Sequence, residues 1–123
     1  MADRQLFRRV LRPLTPAESS LLRWMIEHGT PEASAYANQV DRLRVVSECT
    51  CGCPTVDIGL DGSLAAPSGG SLIIADALGT SAEGTELNVI LHVKEGAIAC
   101  LEVYSLDGSG PFGLPLIESL RSF

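Results

Sequence analysis

The chain has 123 residues, of which 46% are hydrophobic and 20% charged, and its formal net charge is -6. This composition excludes a disordered chain, and the aromatic share of 5% predicts a mainly aliphatic core within a single domain. No apolar run approaches the ~20 residues of a membrane helix. The charged start MADRQLFRRVLR differs from a signal peptide, so the protein is predicted to be cytoplasmic.

The charge is distributed unevenly along the chain. Residues 1–44 hold seven Lys/Arg against five Asp/Glu, whereas residues 45–123 hold two against ten. Such an acidic surface disfavours contact with the nucleic-acid backbone, whose affinity for proteins comes mainly from Lys and Arg. The sequence therefore predicts no nucleic-acid or membrane partner. It favours a basic protein partner and leaves homodimerisation open.

The N-terminal segment has helical spacing. Apolar residues recur there at three- and four-residue intervals, and Arg4, Arg8 and Arg12 lie four apart on another side. Because the residue before a proline avoids the helical region, Pro13 limits this first helix to about Leu11. An arginine row of this kind is typical of a solvent-exposed helix face.

Two further helices are predicted before residue 43. Thr15, Pro16 and Glu18 have the spacing of a capping box with proline at the first helical position, and His28-Gly29 is a typical helix end. Thr30-Pro31 repeats the start signal. The buried stripes of these two helices are predicted to be Leu21, Leu22, Met25 and Ile26 in the first, and Ala33, Tyr36, Ala37 and Val40 in the second.

From residue 43 the pattern becomes extended. Strands are predicted at residues 43–49, 56–60 and 72–78, and a loop rich in Gly, Ser and Pro covers residues 61–70. Residues 86–106 predict a β-hairpin. The fold class is therefore α+β, with two or three N-terminal helices packed on an antiparallel β-meander of about five strands.

The domain is predicted to span residues 1–123. Its helical part covers residues 1–42, its antiparallel sheet residues 43–107, and its covering tail residues 108–123. The tail is expected to dock on the sheet, with one helical turn from Pro115.

The hairpin carries the clearest pairing signal. A three-residue connection at residues 94–96, with Gly96 in the left-handed conformation, would place Val93 opposite Ala97. A two-residue loop would instead bring Glu102 into the apolar row, because side chains alternate with period two. The apolar face predicted from the three-residue connection contains Leu87, Val89, Leu91, Val93, Ala97, Ala99, Leu101 and Val103.

Cys49, Cys51 and Cys53 form a locally unusual cluster, with Cys100 as a fourth thiol. Four cysteines suggest zinc, but along an extended strand the first two side chains would lie about 6.5 to 7 Å apart. That separation is too large for two sulfurs on one zinc ion, whose bonds are about 2.3 Å long. Only a bend at Gly52 would remove the conflict. The sequence therefore favours buried reduced thiols, with a zinc site or a redox or disulfide role as alternatives.

The second face of the hairpin mixes acidic, apolar and aromatic residues. Such a face is either covered by other segments of the chain or binds a partner through an aromatic anchor with an acidic rim. The predicted partner-binding residues are Asn88, His92, Glu102 and Tyr104.

Catalytic signals are sparse. The imidazoles are those of His28 and His92, and His92 would be a diagonal neighbour of Cys100 on the second hairpin face. The carboxylates Asp57 and Asp76 lie in strands, with no sequence signal that pairs them. No nucleophile elbow, P-loop, dinucleotide-binding, HExxH or EF-hand pattern is present, so no catalytic residue is predicted.

The stretches RPLTPAESSLLRWMIEHG and LHVKEGAIACLEVYSLDG, with CTCGCPT between them, resemble small bacterial families of unknown function. Some such families occur among the immunity proteins of toxin systems. The similarity covers about a third of the chain and lies in architectural motifs. It implies a compact cytosolic α+β protein that neutralises a partner by binding, and it transfers no catalytic residue.

The first functional hypothesis is therefore a non-enzymatic protein-binding module of the immunity type, whose acidic sheet half meets a basic partner. The alternative is a small metal-binding or redox-sensing domain that uses the thiols of Cys49, Cys51, Cys53 and Cys100, with zinc as the metal. No other cofactor is expected. An enzyme using His92 and Cys100 is the third hypothesis.

Overall fold

The computed structural model describes residues 7–61, 71–108 and 110–122. The predicted position of Arg4 and most of the predicted loop at residues 61–70 lie outside these ranges. The strands are β1 (Phe7–Pro13), β2 (Leu43–Cys49), β3 (Val56–Leu60), β4 (Leu72–Thr80), β5 (Glu86–Lys94), β6 (Ala97–Ser105) and β7 (Arg121–Ser122). The helices are α1 (Pro16–Glu27), a long 3₁₀ helix (Pro31–Arg42) and a 3₁₀ turn (Ile117–Ser119).

The strands form one antiparallel sheet in the order β1-β2-β3-β6-β5-β4-β7. The predicted α+β class is confirmed. The predicted number of strands is wrong, because the described part of the chain contributes seven strands to the sheet rather than about five. One added strand comes from the N-terminal segment and the other from the tail.

The predicted first helix is strand β1, which pairs with β2 at the sheet edge. The arginine spacing misled the prediction because two residues four apart share a side in a strand as well as in a helix. Arg8 and Arg12 both donate to the carboxylate of Glu48 on β2, at 2.6 and 2.7 Å. The two arginine hydrogen bonds lower the pKa of Glu48 below its usual value. Arg8 and Arg12 are therefore part of an ion-pair network on the sheet.

Arg12 also connects the sheet to α1. Its guanidinium donates to both carboxylate oxygens of the buried Glu18, at 2.9 and 3.0 Å. The predicted capping box is present, since Thr15 Oγ1 accepts from the backbone of Glu18 and the backbone of Thr15 donates to the Glu18 carboxylate. One carboxylate thus caps the helix and receives the arginine.

The last of the predicted N-terminal helices, Pro31–Arg42, is a 3₁₀ helix along its whole length. Its period of three places Gln39 toward the sheet, whereas Ala37, assigned to the buried stripe, is exposed. The Gln39 amide donates to Gly96 O at 2.8 Å and accepts from Ile98 N at 3.1 Å. This side chain therefore fixes the turn of the β5–β6 hairpin to the helical layer.

The β5–β6 hairpin has a different register from the predicted one. Its connection has two residues, Glu95 and Gly96, both with positive φ, and Lys94 pairs with Ala97. Ala99 is then an extra residue in β6, because His92 pairs with Cys100 while Val93 pairs with Ile98. This β-bulge reverses the alternation once and keeps Glu102 out of the apolar face. The predicted face is largely correct, with Ile98 added to the buried residues.

The core lies between one face of the sheet and the helices. It contains the apolar stripe of α1, Ala33 and Val40 of the 3₁₀ helix, and the inward residues of the strands. The tail docks on this arrangement as expected: the 3₁₀ turn follows Pro115, and β7 pairs with β4. No helix within the described ranges reaches the length and apolarity that crossing a bilayer requires.

Candidate functional site

Three cysteine sulfurs converge in the loop that joins β2 to β3. The Sγ atoms of Cys49 and Cys51 lie 2.6 Å apart, and those of Cys51 and Cys53 lie 3.1 Å apart. All three lie within 4.8 Å of one another. Sulfurs this close contact one another directly, so this cluster is a candidate functional site.

The loop departs from the extended strand assumed in the sequence argument. Strand β2 ends at Cys49, and the chain turns at Gly52, whose φ of 104° lies in the left-handed region that favours glycine. The backbone N–H of Cys51 donates to Cys49 Sγ at 3.4 Å. The spacing argument against zinc assumed an extended chain, whereas the chain leaves the strand after Cys49 and bends at Gly52, which is the condition that the zinc alternative required.

Neighbouring strands hold the base of this loop. Cys49 N donates to Thr55 O at 3.2 Å, which closes the β2–β3 hairpin. The Thr55 hydroxyl donates to Val103 O at 3.0 Å and accepts from Val103 N at 2.9 Å. Because these bonds tie the loop to β6 in the centre of the sheet, the ends of the loop are fixed while its tip stays at the surface.

The tail supports the tip of the loop. Phe112 N donates to Gly52 O at 3.4 Å, and a Cβ at Gly52 would lie 3.0 Å from Pro111 Cβ. The predicted covering tail thus contacts the cysteine loop as well as the sheet edge. A change in the loop conformation would therefore alter the contacts of Gly52 with Pro111 and Phe112.

The pKa values of the Cys49 and Cys51 thiols are shifted in opposite directions. Burial, followed by the hydrogen bond with Cys51, raises the pKa of Cys49 to about 12. Hydrogen bonding with Cys49 and Cys53 lowers the pKa of Cys51. Cys51 is also the exposed member, whereas Cys49 and Cys53 are half-buried. The thiol with the lowered pKa is therefore the one that faces solvent.

Cys100 is not part of this cluster. It lies on β6, paired with Asp57 of β3 on one side and with His92 of β5 on the other. Burial, together with the charges of Asp57 and Glu102, raises the pKa of the Cys100 thiol. The structure thus joins three of the four cysteines proposed as metal ligands and places the fourth among acidic residues of the sheet.

His92 lies directly opposite Cys100, where the predicted register had made the two diagonal neighbours. Its Nε2 is 2.8 Å from Glu102 Oε1, and its Nδ1 is 3.3 Å from the Ser71 hydroxyl. Both imidazole nitrogens are therefore occupied by other groups. Because the raised pKa of Cys100 disfavours its thiolate, this arrangement does not activate Cys100 as a nucleophile.

The remaining predicted contact residues form a hydrogen-bonded group. Asn88 is buried, and its Nδ2 donates to Asp76 Oδ1 at 2.7 Å and to Ala77 O at 2.8 Å. The Tyr104 hydroxyl donates to Asn88 Oδ1 at 2.5 Å. The buried Asn88 therefore anchors the hydroxyl of Tyr104, a residue that is 41% exposed.

Sequence reasoning missed the contacts that Ser71 and Asp57 make. Ser71 reaches His92 from the start of β4, and Asp57 accepts a hydrogen bond from Ser47 at 2.6 Å. These pairs are non-local, so they follow only from the strand order. Knowledge of the β4–β5 and β2–β3 registers would have been needed to predict these two contacts.

No family model, curated protein or solved structure matches this chain.

Proposed function

We propose that this protein binds one thiophilic metal ion, Zn²⁺ or Cu⁺, through the thiolates of Cys49, Cys51 and Cys53. The observation that supports the proposal is the convergence of three sulfurs within 4.8 Å on one preformed loop. Thiolates are soft ligands that select such ions. Free cysteines also suit a reducing compartment, which supports the expected cytoplasmic location.

The distances fit a metal ion after a small expansion. Two thiolates bound to a tetrahedral zinc ion at about 2.3 Å lie about 3.8 Å apart. The Cys49–Cys51 and Cys51–Cys53 sulfurs, at 2.6 and 3.1 Å, would separate by about an ångström to reach that value. Rotation of side chains on the bent loop supplies this movement without changing the fixed base.

The coordination number separates the two candidate ions. Three thiolates complete the coordination of Cu⁺, whereas Zn²⁺ prefers four ligands and takes the fourth from water or from a partner. The exposed side of Cys51 is where a fourth ligand has access. The site is therefore built for an exchangeable ion rather than for a closed structural zinc centre.

Metal titration of the reduced protein under anaerobic conditions tests this function. We expect one ion per chain, with proton release on binding and affinity that rises with pH, since the ligands must be thiolates. Cys51→Ser is expected to weaken binding by at least about 100-fold. The matched variant Cys100→Ser, outside the cluster, is expected to bind like the wild type.

Two outcomes would refute the metal site. One is the absence of binding of either ion at micromolar concentration. The other is an equal loss of affinity in Cys51→Ser and Cys100→Ser, because the cluster would then not be the binding site.

A second candidate function is the binding of a basic protein on the sheet face around Tyr104. It is supported by the exposed side chain of Tyr104, which donates a hydrogen bond to Asn88, and by two carboxylates, Glu102 on the same strand β6 and Asp76 on β4. A rigid aromatic residue with an acidic rim is the usual chemistry of such a contact. An immunity-type role belongs to this candidate.

Titration with lysine- and arginine-rich peptides tests the second candidate. Tyr104→Ala is expected to weaken binding by about tenfold, and added salt should weaken it further because the attraction is electrostatic. Leu11→Ala, a change of an exposed apolar residue on the edge strand β1, is the control. Equal binding by both variants would exclude the Tyr104 surface.

A further inference from the structure

The three cysteines of the cluster are not equivalent. Cys51 is exposed at the loop tip, and its sulfur contacts both of the others, at 2.6 Å for Cys49 and 3.1 Å for Cys53. An oxidant arriving from solvent therefore meets Cys51 first. A thiol that can close a disulfide is already in contact on either side.

We propose that Cys51 is the site at which a hydroperoxide oxidises the cluster, and that the resulting disulfide releases the bound metal ion. The release step rests on the proposed metal-binding function. The oxidation step concerns the thiols alone and applies to the metal-free protein as well.

The chemistry balances with a hydroperoxide as the oxidant. The Cys51 thiolate attacks one peroxide oxygen, so that an S–O bond forms, the O–O bond breaks, and the leaving alkoxide or hydroxide takes a proton. The thiolate of Cys49 or Cys53 then attacks the Cys51 sulfur. An S–S bond forms, the S–O bond breaks, and hydroxide leaves as water. In sum, two thiols and one hydroperoxide give one disulfide, one alcohol or water molecule, and one further water.

The disulfide removes two of the three thiolate ligands at once. A single remaining thiolate does not retain the ion, because metal affinity depends on the number of ligands held in place. The backbone is prepared for the closure, since the left-handed Gly52 separates Cys51 from Cys53 in the chain and lets it turn sharply. The disulfide form and the metal-bound form of this loop thus exclude each other.

The same structure makes the oxidation selective. Reaction with peroxide requires a thiolate that solvent can reach. Cys51 is exposed at the loop tip, whereas Cys100 is half-buried on β6 between Asp57 of β3 and His92 of β5, so solvent reaches Cys51 more readily. Cys100 is therefore an internal control within the same chain.

The test uses the full chain loaded with zinc, an ion that has no redox chemistry of its own. Hydrogen peroxide is added, released zinc is followed with a chromophoric chelator, and disulfides are mapped by peptide mass. We expect zinc release in step with a loss of about 2 Da in the peptide that contains residues 49–53. Cys100 should stay reduced.

Variants are compared as reduced metal-free proteins, because Cys51→Ser also removes a metal ligand. Cys51→Ser is expected to slow thiol loss to peroxide by at least about tenfold. Cys100→Ser should react at the wild-type rate. A wild-type rate in Cys51→Ser, or oxidation without a disulfide inside the cluster, would overturn the proposal.

The two proposals fail in different ways. If neither Zn²⁺ nor Cu⁺ binds but the peptide at residues 49–53 forms its disulfide through Cys51, the metal function is lost and the oxidation site stands. If zinc binds and peroxide leaves both the zinc and the thiols unchanged, the oxidation proposal alone is lost.

Discussion

Leu101→Asp is expected to unfold the protein at room temperature. Leu101 is fully buried on β6 and pairs directly with Leu91 of β5, also fully buried. A carboxylate there would lose its hydration without gaining a partner, at a cost of about 4 to 5 kcal/mol or more. That cost is comparable with the whole stability of a typical domain, about 5 to 15 kcal/mol. Circular dichroism and urea unfolding measure the effect.

The same substitution at Leu11 is the matched control. Leu11 is 69% exposed on the edge strand β1, so Leu11→Asp should change the free energy of unfolding by less than about 0.5 kcal/mol. Near-wild-type melting of Leu101→Asp would mean that the β5–β6 register is wrong. A similar decrease in the free energy of unfolding of both variants would mean that the buried position of Leu101 does not explain the effect.

The β5–β6 hairpin shows which structural features a sequence pattern determines. Alternation correctly predicts Leu87, Val89, Leu91, Leu101 and Val103 as the buried face, because a hydrophobic row needs only the period of two. It does not predict the partner of each residue. The turn and the bulge at Ala99 each shift the register by one, and the two shifts together conserve the face. The apolar face was thus predictable, whereas the pairs were not.

The N-terminal segment shows a second limit. Its apolar and arginine spacings suit a helix, and strand β1 satisfies the arginine spacing equally well. Whether the segment forms a helix or a strand depends on Glu48, which lies 40 residues from Arg8 and binds both Arg8 and Arg12. A contact over that distance has no local signature. Local caps such as Thr15 with Glu18 were predictable because all of their atoms lie within four residues.

The cysteine cluster has both a local signal, which the sequence shows, and non-local contacts, which it does not. The types and spacing of Cys49, Cys51 and Cys53 marked the loop as unusual, and Gly52 was recognised as the place where a bend would be needed. The bend itself depends on where β2 stops, and on the support of the tip by Pro111 and Phe112. The separation of Cys100 from the cluster follows from the β3–β6 pairing, which is non-local.

Gly29→Ala is expected to destabilise the protein by about 3 kcal/mol, mainly through steric overlap. A Cβ at Gly29 would overlap the carbonyl oxygen of Ile74 and lie 2.9 Å from Met25 O and 3.0 Å from Ala33 Cβ. The neighbouring bond from Thr30 N to Ile74 O, 2.8 Å long, would be displaced as well. Gly29 lies outside the left-handed region, so the cost arises from space rather than from backbone conformation.

Gly113→Ala is the matched control for this prediction. A Cβ there meets no atom within 4 Å, and Gly113 also lies outside the left-handed region. Its free energy of unfolding should stay within about 0.5 kcal/mol of the wild type. Chemical unfolding gives the free energy of unfolding of both variants, and so compares an added methyl group at a sterically crowded site with one at a site that has free space. Equal stability would mean that the connection between the helices does not press on β4, and that the helical layer is held mainly by its apolar stripe.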